Sequence, residues 1–271
     1  MNFYIDFDHT LYKTNELISD LICFNANYIL ENGDFESFSM RFKKLFPNLE
    51  PINIEKNLSS IIQVLKDNFK RPEETNLKID YNIFTLSTTF GKLFCCDCED
   101  MKKHIYEVLS NGKKYLYDDS VPFLNSLKVN GHKVYILSHE RYDLNFQKSK
   151  ILGSGIFSPQ LIDGIILSKI SKASLDEQAL KNNDITYVSS TNKSIINSID
   201  YKNGIFIDDR PKDLEALFNR CYLDKKEPFK TQIYRIQRPN ERYSNIPFSN
   251  GLKYSSKINI IYSLDELKNI K

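Results

Sequence analysis

Short apolar runs recur at wide spacing along the chain, each closed by polar or turn-forming residues, as strands buried on both faces require. They are Phe3-Tyr4-Ile5, Val134-Tyr135-Ile136-Leu137, Ile165-Ile166-Leu167, Ile205-Phe206-Ile207, Ile233-Tyr234-Arg235-Ile236 and Ile258-Asn259-Ile260-Ile261-Tyr262. From residue 120 onward, helical patterns lie between several of these runs. Val121, Leu124, Leu127 and Val129 lead to Gly131, a helix stop ahead of a strand that starts at Lys133. Ile195, Ile196 and Ile199 follow a Ser190-Thr191-Asn192 start signal, and Leu214, Ala216, Leu217 and Phe218 follow Pro211. Strand and helix alternating in this way predict an α/β fold with a Rossmann-like, doubly wound parallel sheet.

Residues 13–112 carry a different pattern. Helical stretches are expected at 17–30, 38–46, 58–69 and 101–109, and only 81–86 is ambiguous between helix and strand. The simplest layout is one strand, a mainly helical insertion over 13–112, and then the rest of the α/β domain, so that 1–12 and 113–271 form one core. No internal repeat is present. The stretch 238–257 is polar and irregular, a surface excursion before the last strand and a short helix over 263–270.

Composition narrows the class. A chain of 271 residues, 41% hydrophobic, can bury a substantial core without disulfides or structural metal. With 9 Gly and 9 Pro it is no low-complexity chain. Lys and Arg number 37 against 35 Asp and Glu, a net charge of +2, which argues against a dedicated nucleic-acid protein. The 5 cysteines are odd in number and form a poor disulfide framework. The opening Met1-Asn2-Phe3-Tyr4-Ile5-Asp6 has no leader character, and no apolar run is long enough to span a bilayer. A cytoplasmic location without a membrane partner is the expectation, and the oligomeric state is left open.

In open α/β sheets, sites form beyond the carboxyl ends of the strands, so the residues after each run are where chemistry is sought. The first run is followed by Asp6-Phe7-Asp8-His9-Thr10-Leu11, the second by Ser138-His139-Glu140, and the Ile205 run by Asp208-Asp209-Arg210-Pro211-Lys212-Asp213. Alone, an Asp-x-Asp-x-Thr is most often a solvated turn, and an Asp-Asp pair a helix cap. Together at one end of one sheet they concentrate carboxylates that repel unless a cation or protons neutralise them. Hard oxygen ligands at this density suit Mg²⁺.

These segments resemble the signatures of the haloacid dehalogenase (HAD) superfamily. Phe3 to Leu11 is similar to its first, a hydrophobic strand followed by Asp-x-Asp-x-Thr; Tyr135-Ile136-Leu137-Ser138 to its second; Ile205 to Asp213 to its fourth, in the Asp-Asp-x-x-x-Asp form. The third signature is only a lysine ahead of the fourth-signature strand. Lys193 is chosen, because its helix runs directly into Ile205-Phe206-Ile207-Asp208, with Lys169 and Lys172 as alternatives. The resemblance covers 1–12 and about 113–271, and the insertion lies where the family places its C1 cap.

The resemblance implies a phosphatase acting through an aspartyl-phosphate. Asp6 would be the nucleophile, Asp8 the general acid and base, and Thr10 a brace for the loop carrying Asp8. Ser138 would bind the transferring phosphoryl group, with His139 beside the substrate, and Lys193 would neutralise charge. Mg²⁺ would be held by Asp6, the backbone carbonyl of Asp8 and Asp208 or Asp209, with Asp213 orienting that shell. Dehalogenating members generally lack the second Asp of the first signature, so Asp8 points to phosphomonoester hydrolysis. The expected partner is a phosphorylated small metabolite or nucleotide.

Other readings are weaker. Cys95-Cys96-Asp97-Cys98, with His104 as a fourth ligand, lacks the second cysteine pair usual for structural zinc. The basic and aromatic Met40-Arg41-Phe42-Lys43-Lys44-Leu45-Phe46 suits an amphipathic helix as well as nucleic acid, so a nucleic-acid end phosphatase is a subordinate alternative. A catalytically silent scaffold acting in binding or regulation would have no chemical reason to keep Asp6, Asp8 and an acidic fourth signature. Receiver domains share acidic strand tips but are much shorter.

Overall fold

The computed structural model describes residues 1–32, 35–45, 98–140, 144–191, 199–223, 230–239, 241–249, 254 and 257–268. The chain divides into two compact units, one of residues 1–13 and 112–271, the other of residues 14–111.

The first unit is built on the strands β1 (Asn2–Ile5), β2 (Lys133–His139), β3 (Gly164–Ser168), β4 (Ile185–Ser189), β5 (Ile205–Asp208), β6 (Gln232–Ile236) and β7 (Ile258–Ile261). They form one sheet in the order β4-β3-β2-β1-β5-β6-β7. Every pairing is parallel except β3 with β4, which is antiparallel. The expected parallel, doubly wound α/β sheet is therefore present. It has an antiparallel edge strand, β4, that the apolar-run pattern missed: its residues are half-buried or exposed, and Ile185-Thr186-Tyr187-Val188-Ser189 shows no continuous apolar run.

Burial explains the sheet's centre. Phe3 and Ile5 are fully buried, as are Ile136 and Ile165, and Ile205, Phe206 and Ile207 are nearly so. On one face Tyr4 stacks on Tyr135 and on Phe206, with ring centroids at 5.6 and 4.9 Å, and Tyr201 stacks on Phe206 at 5.7 Å. On the other, Phe3 meets Phe123 edge-on at 6.5 Å. The tyrosines place their bodies in the apolar layer and use their hydroxyls at its margin, where Tyr4 Oη accepts from the Asp200 amide at 2.9 Å.

Helices α4 (Ser120–Val129), α5 (Leu144–Gly153), α6 (Glu177–Lys181) and α7 (Pro211–Phe218) lie between strands of this unit. α4 ends as its sequence predicts: Gly131 has φ 76°, a left-handed conformation, and its amide donates to the Lys128 carbonyl at 3.0 Å. Pro211 opens α7, where its missing N–H costs nothing. The expected helix at 263–270 is a short 3₁₀ turn, Leu264–Leu267, opened by a capping box between Ser263 and Glu266. The expected helix through Ile195 and Ile196 falls outside the described residues.

The described part of the second unit consists of α1 (Thr14–Asn32), α2 (Phe35–Leu45) and α3 (Cys98–Ser110). Met101, Ile105 and Leu109 of α3 recur at helical spacing and are buried. The stretches 58–69 and 81–86 lie outside the described residues, as do Cys95, Cys96 and Asp97. No helix among the described residues is long and apolar enough to cross a membrane.

Candidate active site

The strand order sets the site's position. β2 and β3 lie on one side of β1, while β5, β6 and β7 lie on the other. The direction of winding reverses beside β1, and there the loops leaving neighbouring strands diverge and open a crevice. Asp6 leaves β1 at this point, its amide donating to the Ile207 carbonyl at 2.8 Å. The chain then turns tightly. The amides of Leu11 and Tyr12 both donate to the Phe7 carbonyl, at 3.0 and 3.1 Å, and the His9 amide donates to the Tyr12 carbonyl at 2.8 Å. His9 adopts φ 57° in this turn and is anchored by an Nδ1 contact of 2.5 Å to Glu241 Oε2.

Lys172 is the cation at the centre. It stands in the 3₁₀ turn Lys172–Ser174 just after β3, and its Nζ donates to Asp6 Oδ1 at 2.6 Å and to Asp208 Oδ2 at 2.5 Å. The second oxygen of Asp208 accepts the Arg210 amide at 2.8 Å. Asp6, Asp208 and Asp209 are all buried and offer oxygens within 4.8 Å of one another. The Asp6 carboxyl is pushed up to about 7, raised by burial first and by Asp208 and Asp8, against the pull of Lys172. Burial likewise raises Asp208, against the pull of Lys172. Asp209 is raised well above the carboxylate range by burial and then by Asp208 and Asp6. Lys172, opposed by its own burial, is held charged by Asp208 and Asp6.

A second cluster holds Asp8. Lys150 Nζ reaches Asp8 Oδ1 at 2.5 Å, and Gln147 Nε2 donates to Asp8 Oδ2 at 2.6 Å. The same amide nitrogen donates to Ser138 Oγ at 2.7 Å. Gln147 and Lys150 stand one turn apart on α5, so their side chains share a face.

The sequence-predicted residues do not all take the places expected of them. Asp6, Asp208, Asp209, Asp8 and Ser138 come together at the strand ends. Asp213 is buried in the first turn of α7, 3.6 Å from Arg210 Nη1, and acts electrostatically on Lys172. His139 is half-buried, its pKa lowered first by burial, with Asp213 acting in the opposite sense. Thr10 is fully buried, and its contribution runs through its carbonyl, which accepts from Arg238 Nε and Nη2 at 3.3 and 3.0 Å. Its hydroxyl has no partner among the described residues.

Among the described residues the lysine at the carboxylates is Lys172, one of the two alternatives to Lys193, which itself lies outside the described residues. The physical reason is position: a strand end delivers Lys172 directly to Asp6 and Asp208. Reading past the Ile165-Ile166-Leu167 run meets Lys169 first and Lys172 only four residues beyond the strand, so strand-end reading alone does not separate the two. Gln147 and Lys150 were missed altogether. As polar residues on a helix they carry no sequence signal that separates them from a solvated face.

The donor set fits a hard divalent cation. Among the described residues Asp209 Oδ2 is buried without a hydrogen-bond partner, and Asp6 accepts only on Oδ1. A buried carboxylate oxygen left unpaired is costly, and a cation ligated by oxygen removes that cost. Lys172 alone cannot neutralise Asp6, Asp208 and Asp209, which burial and then their neighbouring carboxylates raise toward the protonated form.

No protein-family model matches the chain, and no curated protein matches it. Among solved structures, the chain is similar to the magnesium-bound YfnB of Bacillus subtilis, described as a HAD-hydrolase, with 15% identity, TM-score 0.49, and coverage of 99% of this chain and 98% of that one. It is similar to a HAD phosphatase of Thermococcus onnurineus, with 16% identity, TM-score 0.48, and coverage of 98% and 95% respectively. It is also similar to a HAD-superfamily hydrolase of Ehrlichia chaffeensis, with 14% identity, TM-score 0.42, and coverage of 99% and 94%.

Proposed function

We propose that this chain is a magnesium-dependent phosphomonoester hydrolase of the HAD type, acting through an aspartyl-phosphate on a small phosphorylated metabolite or nucleotide. The observation that carries the reading is the buried convergence of Asp6, Asp208 and Asp209 on Lys172, with Asp8 and Ser138 linked through Gln147 beside it.

Asp6 attacks phosphorus with the oxygen that Lys172 does not hold. The new bond joins that oxygen to phosphorus as the bond from phosphorus to the leaving oxygen breaks. Asp8 gives its proton to the leaving oxygen. In the second half-reaction Asp8 takes a proton from water, which attacks phosphorus and frees Asp6 with inorganic phosphate as product. Ser138 donates to a phosphoryl oxygen, and Lys172 offsets the charge gathering between the nucleophile and the phosphoryl group. Asp6, Asp208 and Asp209 would hold Mg²⁺, which when bound neutralises carboxylate and phosphoryl charge. Asp8 supports phosphoester over carbon–halogen cleavage, because protonating a leaving oxygen needs such an acid and expelling halide does not.

The test is phosphate release from p-nitrophenyl phosphate and from a panel of sugar phosphates and nucleotides. Wild-type protein is expected to turn over in Mg²⁺ and stop in excess EDTA, and Asp6→Asn to be inactive while melting normally. Turnover that survives either treatment overturns the reading.

A further inference from the structure

Gln147 is buried among groups that dictate how its amide must face. Paired with the Lys150 ammonium, Asp8 is a carboxylate before substrate arrives and can only accept, so the atom 2.6 Å from Asp8 Oδ2 is the amide nitrogen; the proton Asp8 later gives the leaving oxygen arrives with the phosphomonoester. That nitrogen carries two hydrogens, and its other contact, at 2.7 Å, is Ser138 Oγ. Ser138 Oγ is thereby the acceptor in this bond. A hydroxyl whose oxygen already accepts points its own hydrogen elsewhere, and Ser138 donates to no group among the described residues. Lys150, only 3% exposed, holds the remaining oxygen of Asp8 at 2.5 Å. Its ammonium lies 5.4 Å from the Phe146 ring centroid, which limits the directions it can leave by.

We propose that Gln147 and Lys150 are positioning residues for the reaction, Gln147 turning the Ser138 hydroxyl hydrogen toward the phosphoryl group and both together fixing the Asp8 carboxyl. The inference rests on the phosphatase reading above and deepens it. Neither residue touches the reacting atoms: each acts through Ser138 or Asp8. Orientation set before substrate arrives is what makes a hydrogen-bond donor effective at the transition state. One helix, α5, thus places two groups that the sequence supplies from separate strand ends.

A double-mutant cycle tests this, because residues acting through one another give non-additive losses. Ser138→Ala is expected to lower kcat roughly 100-fold and Gln147→Leu roughly tenfold, with KM changed less than about threefold. The double variant should be slower than Ser138→Ala by clearly less than the roughly tenfold that Gln147→Leu costs alone, the remainder being the part of Gln147 that acts through Asp8. Lys150→Met paired with Asp8→Asn should behave in the same way, and Lys150→Arg should recover most of the rate. Melting temperatures identify any variant that fails to fold, with Gln147→Met replacing Gln147→Leu in that case. Losses that multiply across the cycle, or that fall on KM and stability alone, overturn the inference while leaving an active wild type. A wild type that releases no phosphate overturns the phosphatase reading and this inference with it.

Discussion

Asp6 is pulled in two directions. Burial and the neighbouring Asp208 and Asp8 favour its protonated form, while Lys172 at 2.6 Å favours the carboxylate, and the balance stands at about 7. An unfolded chain ionises this group near 4. Between those values the folded, metal-free protein holds a proton that the unfolded chain has lost, so stability falls as pH rises across that window. A cation must displace the proton, so Mg²⁺ should bind roughly tenfold or more tightly at pH 7.5 than at pH 5.5. Calorimetric titration at the two pH values checks this, and an affinity independent of pH would remove Asp6 from the ligand set. At this scale the sequence was half legible. Asp6, Asp208 and Asp209 announce themselves because each closes an apolar run. Lys172 stands four residues past the end of its strand, and Gln147 acts only through contacts that three-dimensional packing creates.

At the scale of elements, a strand's visibility followed its apolar content, which burial on both faces enforces at the centre and which Ile258, Ile260 and Ile261 supply at the β7 edge. β1, β2, β3 and β5 are covered on both faces and read as unbroken apolar runs. β4 sits at the sheet edge, half-buried apart from the exposed Thr186, and its Thr186 and Tyr187 conceal it. That edge imposes a constraint of its own. A methyl group at Gly164 of β3 would lie 2.6 Å from the Tyr187 ring of β4, far inside contact distance. Gly164→Ala should therefore cost about 1–3 kcal/mol in overpacking. The same change in a Tyr187→Ala background should cost little, since the colliding ring is gone. Thermal melts of the four proteins measure the coupling, and equal losses in both backgrounds would mean that the Tyr187 ring is not the source of the cost.

Over the whole molecule, a net charge of +2 describes an average that no region has. The strand ends gather Asp6, Asp8, Asp208, Asp209 and Asp213, and the cations answering them are particular side chains, Lys172 and Lys150. A third charged centre fastens distant parts of the core to one another. Arg238 donates to both oxygens of Asp119 at 2.7 Å and to the carbonyl of Thr10 in the loop that carries Asp8. Asp119 also accepts from Ser263 Oγ and the Leu264 amide, each at 2.9 Å. The start of α4, the first-strand loop and the turn after β7 thus meet at one ion pair, with Arg238 buried and Asp119 half-buried. Burial alone would raise Asp119, but the Arg238 hydrogen bonds prevail and hold it below the usual carboxylate range. A depressed folded value means that the pair's contribution is complete above about pH 4 and drains away as pH falls through that value. Removing Arg238 leaves the half-buried Asp119 without its charged donor, so Arg238→Met should lower stability at pH 7 by about 2 kcal/mol. The deficit against wild type should shrink as the solution is acidified below pH 4. Because the Thr10 carbonyl loses its donors as well, kcat should fall with it. Urea unfolding at pH 7 and pH 3.5 tests the argument, and a deficit of the same size at both would show that the charge on Asp119 contributes nothing to the join.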